Sequence, residues 1–139
     1  MLHVISGPII AAGETISDGV DVSAGELVRV TMPADWTEAA LSFQFSSDGV
    51  TYNDMFYIDG FEVQIPVVVP NAAVIIGAHV GRAIGFIKFR SGLRNHPIAQ
   101  QETRQFKMTI DIDDKQAQPK PSSYMLILKV LEPGNIPLP

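Results

Sequence analysis

Cysteine is absent from the 139 residues of this chain, which excludes disulfide bonds and thiolate metal sites. Charge is also sparse: 18% of the residues are charged, and 15 Asp and Glu outnumber 10 Lys and Arg. The net charge of -5 argues against a nucleic-acid partner, because contacts to phosphates require an excess of basic residues. No run approaches the roughly 18 apolar residues of a membrane-spanning helix. The N-terminus also lacks the basic region of a signal peptide. We therefore expect neither nucleic acid nor membrane among the partners.

Apolar residues and turn-forming residues are the two things that the chain has in quantity. Apolar residues make up 46% of the sequence, and 11 Gly and 10 Pro are spread along it rather than clustered. This distribution is typical of many short strands joined by turns. The length is sufficient for one domain with a hydrophobic core.

The clearest strand pattern covers the middle of the chain. Apolar and polar residues alternate over residues 41–46, an aromatic-rich run follows at 52–58, and alternation returns at 61–65. Asp48-Gly49 and Asp59-Gly60 separate these runs, and Asp-Gly is the typical sequence of a type I′ hairpin turn. The sequence therefore predicts a three-stranded antiparallel meander.

The remaining segments are assigned by the same rules. We predict an extended arm or edge segment over residues 1–12, a tight turn at Asp18-Gly19, and a loop over 90–100. A further strand is predicted over residues 26–32, with Leu27 or Val28 in the core. Three more are predicted over 72–78, 84–89 and 105–112, and the strand at 72–78 is expected to be buried on both faces. These assignments predict an all-β fold, an antiparallel β-sandwich of jelly-roll-like or immunoglobulin-like type.

At most one helical turn is expected. Asp35 and Glu38 have the spacing of a capping box, which predicts a single turn around Trp36 with the indole buried against the sheet.

The C-terminal part of the sequence differs in composition from the rest. We divide the chain into a β-sandwich domain with an N-terminal arm (1–112), a polar linker (113–123) and an apolar C-terminal arm or strand (124–139). The octapeptide at 124–131 is β-prone and nearly uncharged, so it needs a groove or a sheet edge. We favour exchange with a neighbouring subunit over pairing within the same sandwich. The candidate assembly residues are Tyr124, Met125, Leu126, Ile127, Leu128, Val130 and Leu131.

No catalytic, cofactor-binding or metal-binding constellation is found in the sequence. The three histidines lie on separate predicted elements, and no serine has the context of a nucleophile elbow. Asp111, Asp113 and Asp114 could hold a cation, but no ion-wrapping loop follows them and a solvated strand end is the favoured interpretation. We expect a protein that is not an enzyme and has no cofactor.

Three further residues are candidates for interaction. Tyr52 and Tyr57 are the most exposed members expected of an aromatic set that could stack on sugars, although core packing is the favoured interpretation for the set. Arg90 could contact a partner, or could brace the turn by hydrogen-bonding carbonyls, and the second interpretation is favoured.

A longer pattern resembles small all-β virion proteins of tailed bacteriophages and prophages, of the head-decoration or tail and neck type. The resemblance covers about residues 9–112. The matching residues are Met32-Pro33, Trp36, Ala39, Leu41, Phe43-Gln44, Ser46, Asp48-Gly49, Asp59-Gly60, Arg90-Ser91-Gly92, Gln100 and Arg104. Members of that family tend to end near the position of Ile112, so the linker and the arm suggest a specialised assembly contact.

The resemblance implies a non-enzymatic structural protein, most simply a capsid decoration or cement protein. Its partners would be the major capsid protein or other virion subunits, with further copies of itself in a homo-oligomer. It would be located in the virion, on the capsid surface rather than the tail, after assembly in the bacterial cytoplasm. A tail or neck subunit is the near alternative, and a carbohydrate-binding or receptor-binding β-sandwich that uses Tyr52, Tyr57 or Trp36 is the more distant one.

Overall fold

The structure, a computed structural model, describes residues 1–113. The C-terminal arm and all but the first residue of the predicted linker lie outside the described residues. Within them, ten strands and one helical turn follow one another along the chain. They are β1 (Leu2–Ile10), β2 (Val20–Asp21), β3 (Glu26–Thr31), β4 (Leu41–Ser46), β5 (Asn53–Asp54), β6 (Gln64–Ile65), β7 (Ala73–Ile75), α1 (Ala78–Gly81), β8 (Phe86–Leu93), β9 (His96–Pro97) and β10 (Arg104–Asp111).

The strands form two antiparallel sheets that pack as a sandwich. One sheet has four strands in the order β1-β10-β3-β7. The other has six strands along the path β2-β8-β4-β5, with β6 also paired to β4 and β9 paired to β8. The predicted all-β antiparallel sandwich with at most one short helical turn is confirmed.

Aromatic side chains join the two sheets in the core. The ring of Phe89 on β8 contacts Phe43 on β4, with centroids 5.2 Å apart, and Phe106 on β10, with centroids 4.9 Å apart. Trp36 extends this row, because the centroids of its indole and of the Phe106 ring are 5.6 Å apart in an edge-to-face contact. The indole N–H donates to the carbonyl of Ala39 at 3.0 Å, as a buried Trp requires. Trp36 is therefore a core residue, as the sequence predicts.

A bulge decides which residues of β3 face the core. Thr109 pairs with Arg29 and Ile110 with Leu27, so Val28 is the extra residue. Leu27 and Val30 are both buried although they are three positions apart. Strict alternation places either Leu27 or Val28 in the core, together with every second residue after it. It cannot predict that the bulge at Val28 brings both Leu27 and Val30 to the core side.

The predicted meander is only partly correct. β4 pairs with β8 along one edge, and its other edge is shared by β5 and β6, which are two residues each. Residues 55–63, between β5 and β6, leave the sheet as a projecting hairpin that Asp59-Gly60 closes. Both predicted Asp-Gly turns form, with φ of 79° at Gly49 and 90° at Gly60. They are not type I′ turns, because Asn71 is the sole described non-glycine residue with positive φ.

The helical turn is not at Trp36. Residues 33–40 are irregular, since the amide of Thr37 donates to the Oε1 atom of Gln100 at 2.9 Å instead of to a helical cap. The helical turn is α1, at the end of a segment predicted as a strand buried on both faces. A strand is present there, but it is shorter than predicted and is not buried on both faces: β7 has three residues at the edge of the described sheet, and Ile75 is 86% exposed.

Two predictions about connections are also wrong. The loop expected over residues 90–100 is in part regular, because β8 continues to Leu93 and turns back into β9. Gly92 permits this turn: its φ is +91°, and a Cβ there would lie 2.4 Å from the carbonyl oxygen of His96. The turn predicted at Asp18-Gly19 is absent, since this segment runs directly into β2. Gly19 instead leaves space for the ring of Tyr52.

Candidate functional site

Among residues 1–113, exposed large apolar side chains are most closely grouped on the hairpin of residues 55–63. Ile58 at its tip is fully exposed, Phe61 is 71% exposed and Phe56 is 45% exposed. Met55 and Val63, at the two ends of the hairpin, are buried in the core. The hairpin thus has an anchored base and an apolar tip, and such exposed apolar patches mark interaction surfaces.

Backbone hydrogen bonds make the hairpin regular. The amide of Tyr57 donates to the carbonyl of Phe61 at 2.8 Å, and that of Val63 donates to Met55 at 2.9 Å. The Asp59 carboxylate accepts from the amide of Phe61 at 3.0 Å and fixes the tip.

A buried guanidinium holds the base of the hairpin to β8. The side chain of Arg90, 7% exposed, pairs with the carboxylate of Asp54 and with that of Glu62, the latter at 3.3 Å. Asp54 precedes the hairpin and Glu62 lies near its end, so a single cation joins both of its arms. Arg94 adds weaker contacts: its side chain is 3.5 Å from Asp54, and its backbone amide donates to Glu62 at 3.0 Å.

Opposing effects act on the ionisation of Asp54. Partial burial raises the pKa of its carboxyl. Hydrogen bonds from Arg90 and Gln44 and the positive charge of Arg90 lower the pKa, and together they outweigh the effect of burial. The net result is a pKa below the ordinary value. Asp54 is therefore a stable anion at neutral pH, and the ion pair persists over the physiological range.

An apolar groove separates the hairpin from α1. Two adjoining cavities form it, and Tyr57, Val63 and Val80 line both. The inner cavity, about 110 Å³, reaches between the sheets to Phe43. The outer cavity, about 260 Å³, is bounded by the hairpin on one side and by His79 and Ala83 on the other, and completes the groove. The rings of Tyr57 and His79 are 5.7 Å apart across it.

The residues that the sequence singled out are placed differently from one another. Arg90 is buried and contacts carboxylates rather than the carbonyls expected of a turn brace. Tyr57 is in the groove and is exposed. Tyr52 is half-buried elsewhere, with the ammonium of Lys88 4.4 Å from its ring centroid. The seven candidates from Tyr124 to Leu131 lie outside the described residues.

Sequence reasoning missed several residues of this surface. The sequence predicts strands over residues 52–58 and 61–65, so it does not identify Phe56, Ile58 and Phe61 as exposed. The signal that could have found them is the run from Phe56 to Ile58, in which three consecutive large apolar residues cannot all face one core. The carboxylates of Asp54 and Glu62 carry no local signal, since their partner Arg90 is distant in the sequence.

A second polar cluster is structural. The side chain of Gln100, fully buried, accepts from Arg104 Nε at 2.9 Å and donates to Ser91 Oγ at 2.7 Å. It also exchanges hydrogen bonds with the backbone of Thr37. Every buried polar side-chain atom in residues 1–113 has a partner. The cluster therefore fixes the 33–40 segment against β8.

Metal and membrane features were sought in the same part of the chain. Among residues 1–113, no three His, Cys, Asp or Glu side chains are close enough together to hold a metal ion. Over the same range, no helix has the length and apolar character needed to cross a membrane.

The fold and the surface define a two-sheet antiparallel β-sandwich with an exposed apolar hairpin. No protein-family model matches the chain, and no curated protein or solved structure is detectably similar to it.

Proposed function

We propose that this protein is a non-enzymatic structural component of a bacteriophage virion, a decoration or cement protein that binds the outside of the capsid. Its partners are the major capsid protein, neighbouring virion subunits and further copies of itself. It assembles in the bacterial cytoplasm and resides in the particle.

The observation that carries this proposal is the apolar hairpin with its anchored base. Burial of one large apolar side chain contributes roughly 1.5–3 kcal/mol, so Phe56, Ile58 and Phe61 together offer substantial binding energy. Because Arg90 holds the hairpin through two carboxylates, little conformational entropy is lost on binding, and pre-organisation of this kind increases affinity.

Edge strands offer a second type of contact. Among the described strands, β1 has nine residues and lies at the edge of the four-stranded sheet, and Leu2 and Val4 on it are exposed. A neighbouring chain can add a strand to such an edge. The sequence pattern over residues 9–112, which we interpret as that of small phage virion proteins, is the sequence basis of the same proposal.

The sugar-binding alternative receives less support. Trp36 is in the core, Tyr52 packs against Lys88, and Tyr57 faces His79, so these three aromatic residues have different surroundings rather than a common platform. A tail or neck subunit would use the same apolar hairpin, and only the number of copies per particle separates it from a capsid protein.

Quantitative mass spectrometry of purified particles from the strain that encodes the chain tests the proposal. A decoration protein is expected in hundreds of copies per particle. A ring of tail or neck subunits would give single or low double digits, and absence from the particles would overturn the virion proposal altogether.

A binding experiment tests the role of the hairpin. The double variant Ile58→Ser, Phe61→Ser should fold normally and fail to co-sediment with particles that lack the wild-type protein. Val50→Ser is the matched control, because Val50 is 82% exposed but lies outside the hairpin. Equal binding by the two variants would show that the hairpin is not the contact surface.

A further inference from the structure

We propose that the apolar groove between the hairpin and α1 binds residues 124–131 of a second copy of this chain. This inference rests on the proposed function in one respect, since it supposes that the protein assembles with its own copies.

The groove has the size and lining for large apolar side chains. Its inner cavity, about 110 Å³, is lined almost entirely by apolar residues, among them Leu27, Phe43 and Ile87. Water gains few hydrogen bonds in such a space, and apolar cavities of comparable size bind groups as large as benzene. The inner cavity therefore favours an inserted Leu, Ile or Met side chain over solvent.

The groove also lies at an open side of the sandwich. β6 is one of the two short strands at the edge of its sheet, β7 is the edge strand of the other sheet, and the inner cavity opens between Ile65 and Ile75 of these strands. The outer edge of β7 is not paired with any described strand. An added strand could satisfy this edge while its side chains enter the groove, which is the geometry of β-augmentation.

The octapeptide at 124–131 (YMLILKVL) has the matching chemistry. It contains one charged residue, Lys129, and is the most apolar segment of its length in the chain. A β-prone segment of this composition is an aggregation hazard in water, so a groove that buries alternate side chains lowers its free energy.

The point at which the described chain ends places the groove within reach of the octapeptide. Asp111 pairs with Glu26 in the sheet, and Glu26 is 3.7 Å from Arg82, the residue after α1. The end of β10 is thus near α1, which forms one wall of the groove. Residues 114–123 can span about 33 Å when extended. That length reaches the groove of a neighbouring subunit as well as the groove of the same chain, and the contacts between copies that the proposed function requires favour the neighbour.

Engineered cysteines test the proposal in the full-length chain. Because the sequence has no cysteine, each introduced thiol is unique. Ala83→Cys places a thiol at the exposed rim of the groove, and Leu128→Cys places one in the octapeptide. We expect the two single variants, co-expressed and then oxidised under dilute conditions, to form mixed disulfide dimers. The yield should exceed that of a remote pair by roughly tenfold, owing to the high effective concentration of docked segments.

Two controls make the result specific. Val50→Cys combined with Leu128→Cys should give only background dimer, and Val4→Cys reports docking on the edge of β1 instead. A double Ala83→Cys, Leu128→Cys chain that closes only within itself would overturn exchange between copies. Preferential linkage through Val4, or no linkage above background, would overturn the groove as the site. The experiment uses purified protein alone, so its failure is distinct from absence of the protein from virions.

Discussion

Arg90 shows how far a single residue could be read from the sequence. Its position in a Gly-containing, Ser-containing stretch indicated either a partner contact or a brace for the turn. The structure gives it a buried site between two carboxylates that are 36 and 28 positions away in the chain. Such partners depend on the pairing of β4 with β5 and β8, and no local pattern encodes that pairing.

Replacement of Arg90 by Met should destabilise the protein by about 3 kcal/mol, because removal of one member of a buried ion pair leaves carboxylates without a counter-charge. Arg94→Ala is the matched control: Arg94 is 44% exposed and 3.5 Å from Asp54, and exposed ion pairs contribute less than about 1 kcal/mol. Urea denaturation of the two variants measures the difference. Equal losses would show that Arg90 does not carry the anchoring charge.

Asp48 should make the stability depend on acid pH. The amides of Thr51 and Val50 and the hydroxyl of Ser46 donate to its carboxylate, and they lower its pKa from 3.8 to about 2. The folded state therefore favours the anion, and this contribution to the free energy of unfolding is complete above about pH 4. It is lost as the pH falls towards about 2.

The variant Asp48→Asn should weaken this dependence. We expect the wild type to lose stability more steeply than the variant between about pH 4 and pH 2, as measured by denaturant titration at several pH values. Parallel profiles for the two proteins would show that the carboxylate of Asp48 is not the titrating group.

At the scale of elements, the predicted strand positions are most accurate where apolar and polar residues alternate most regularly. The sequences of β4 and β10 alternate over their full lengths, and their predicted bounds agree with the structure to within about one residue. The segment 72–78 has no alternation, and a continuous apolar run does not distinguish a buried strand from an edge strand followed by a helical turn. The 90–100 segment contains Gly, Asn and Pro, a composition that predicts a loop. Buried hydrogen bonds such as that from Ser42 Oγ to the carbonyl of Gly92, at 2.6 Å, give it order.

The position of α1 depends on a close approach to β3. A Cβ at Gly81 would lie 2.2 Å from the carbonyl oxygen of Leu27, so Gly81→Ala should displace α1 and destabilise the protein by more than 1 kcal/mol, in the range of roughly 1–3 kcal/mol for overpacking. Gly60→Ala is the control, since nothing lies within 4 Å of its Cβ position and only its φ of +90° is unfavourable. The cost there is about 1–2 kcal/mol of backbone strain.

Hydrogen exchange separates the two glycine variants better than global stability does. Gly81→Ala should accelerate exchange at the amides of Arg82 and Ala83, which donate to the carbonyls of Ala78 and Val80. Gly60→Ala should affect only the hairpin. Unchanged exchange around α1 in the Gly81 variant would mean that α1 tolerates the added methyl group in place.

At the scale of the whole molecule, the two-sheet sandwich follows from many short alternating strands and few helical signals. The order of the strands does not, because it arises from contacts between distant segments such as β1 with β10. The candidate surface is least accessible to sequence reasoning. Phe56 and Ile58 are of residue types that usually lie in the core. They are exposed here because β5 and β6 both pair with the same edge of β4, and the residues between these two strands lie outside the sheet.

Self-association should follow from this surface. Wild-type protein should sediment as species larger than a monomer as its concentration rises, since the exposed hairpin and the apolar arm both gain from burial. The variant Ile58→Ser, Phe61→Ser should associate less, with its thermal midpoint unchanged within a few degrees because neither side chain contributes to the core.

A variant with Leu126→Ser and Leu128→Ser should also associate less, and the combination of all four substitutions should show whether the hairpin and the arm take part in the same contact. If they do, the combined loss will be smaller than the sum of the separate losses. Sedimentation velocity over a range of concentrations measures both quantities. A wild type that remains monomeric at every concentration would contradict a surface built for contact with its own copies, and would leave the capsid as its only partner.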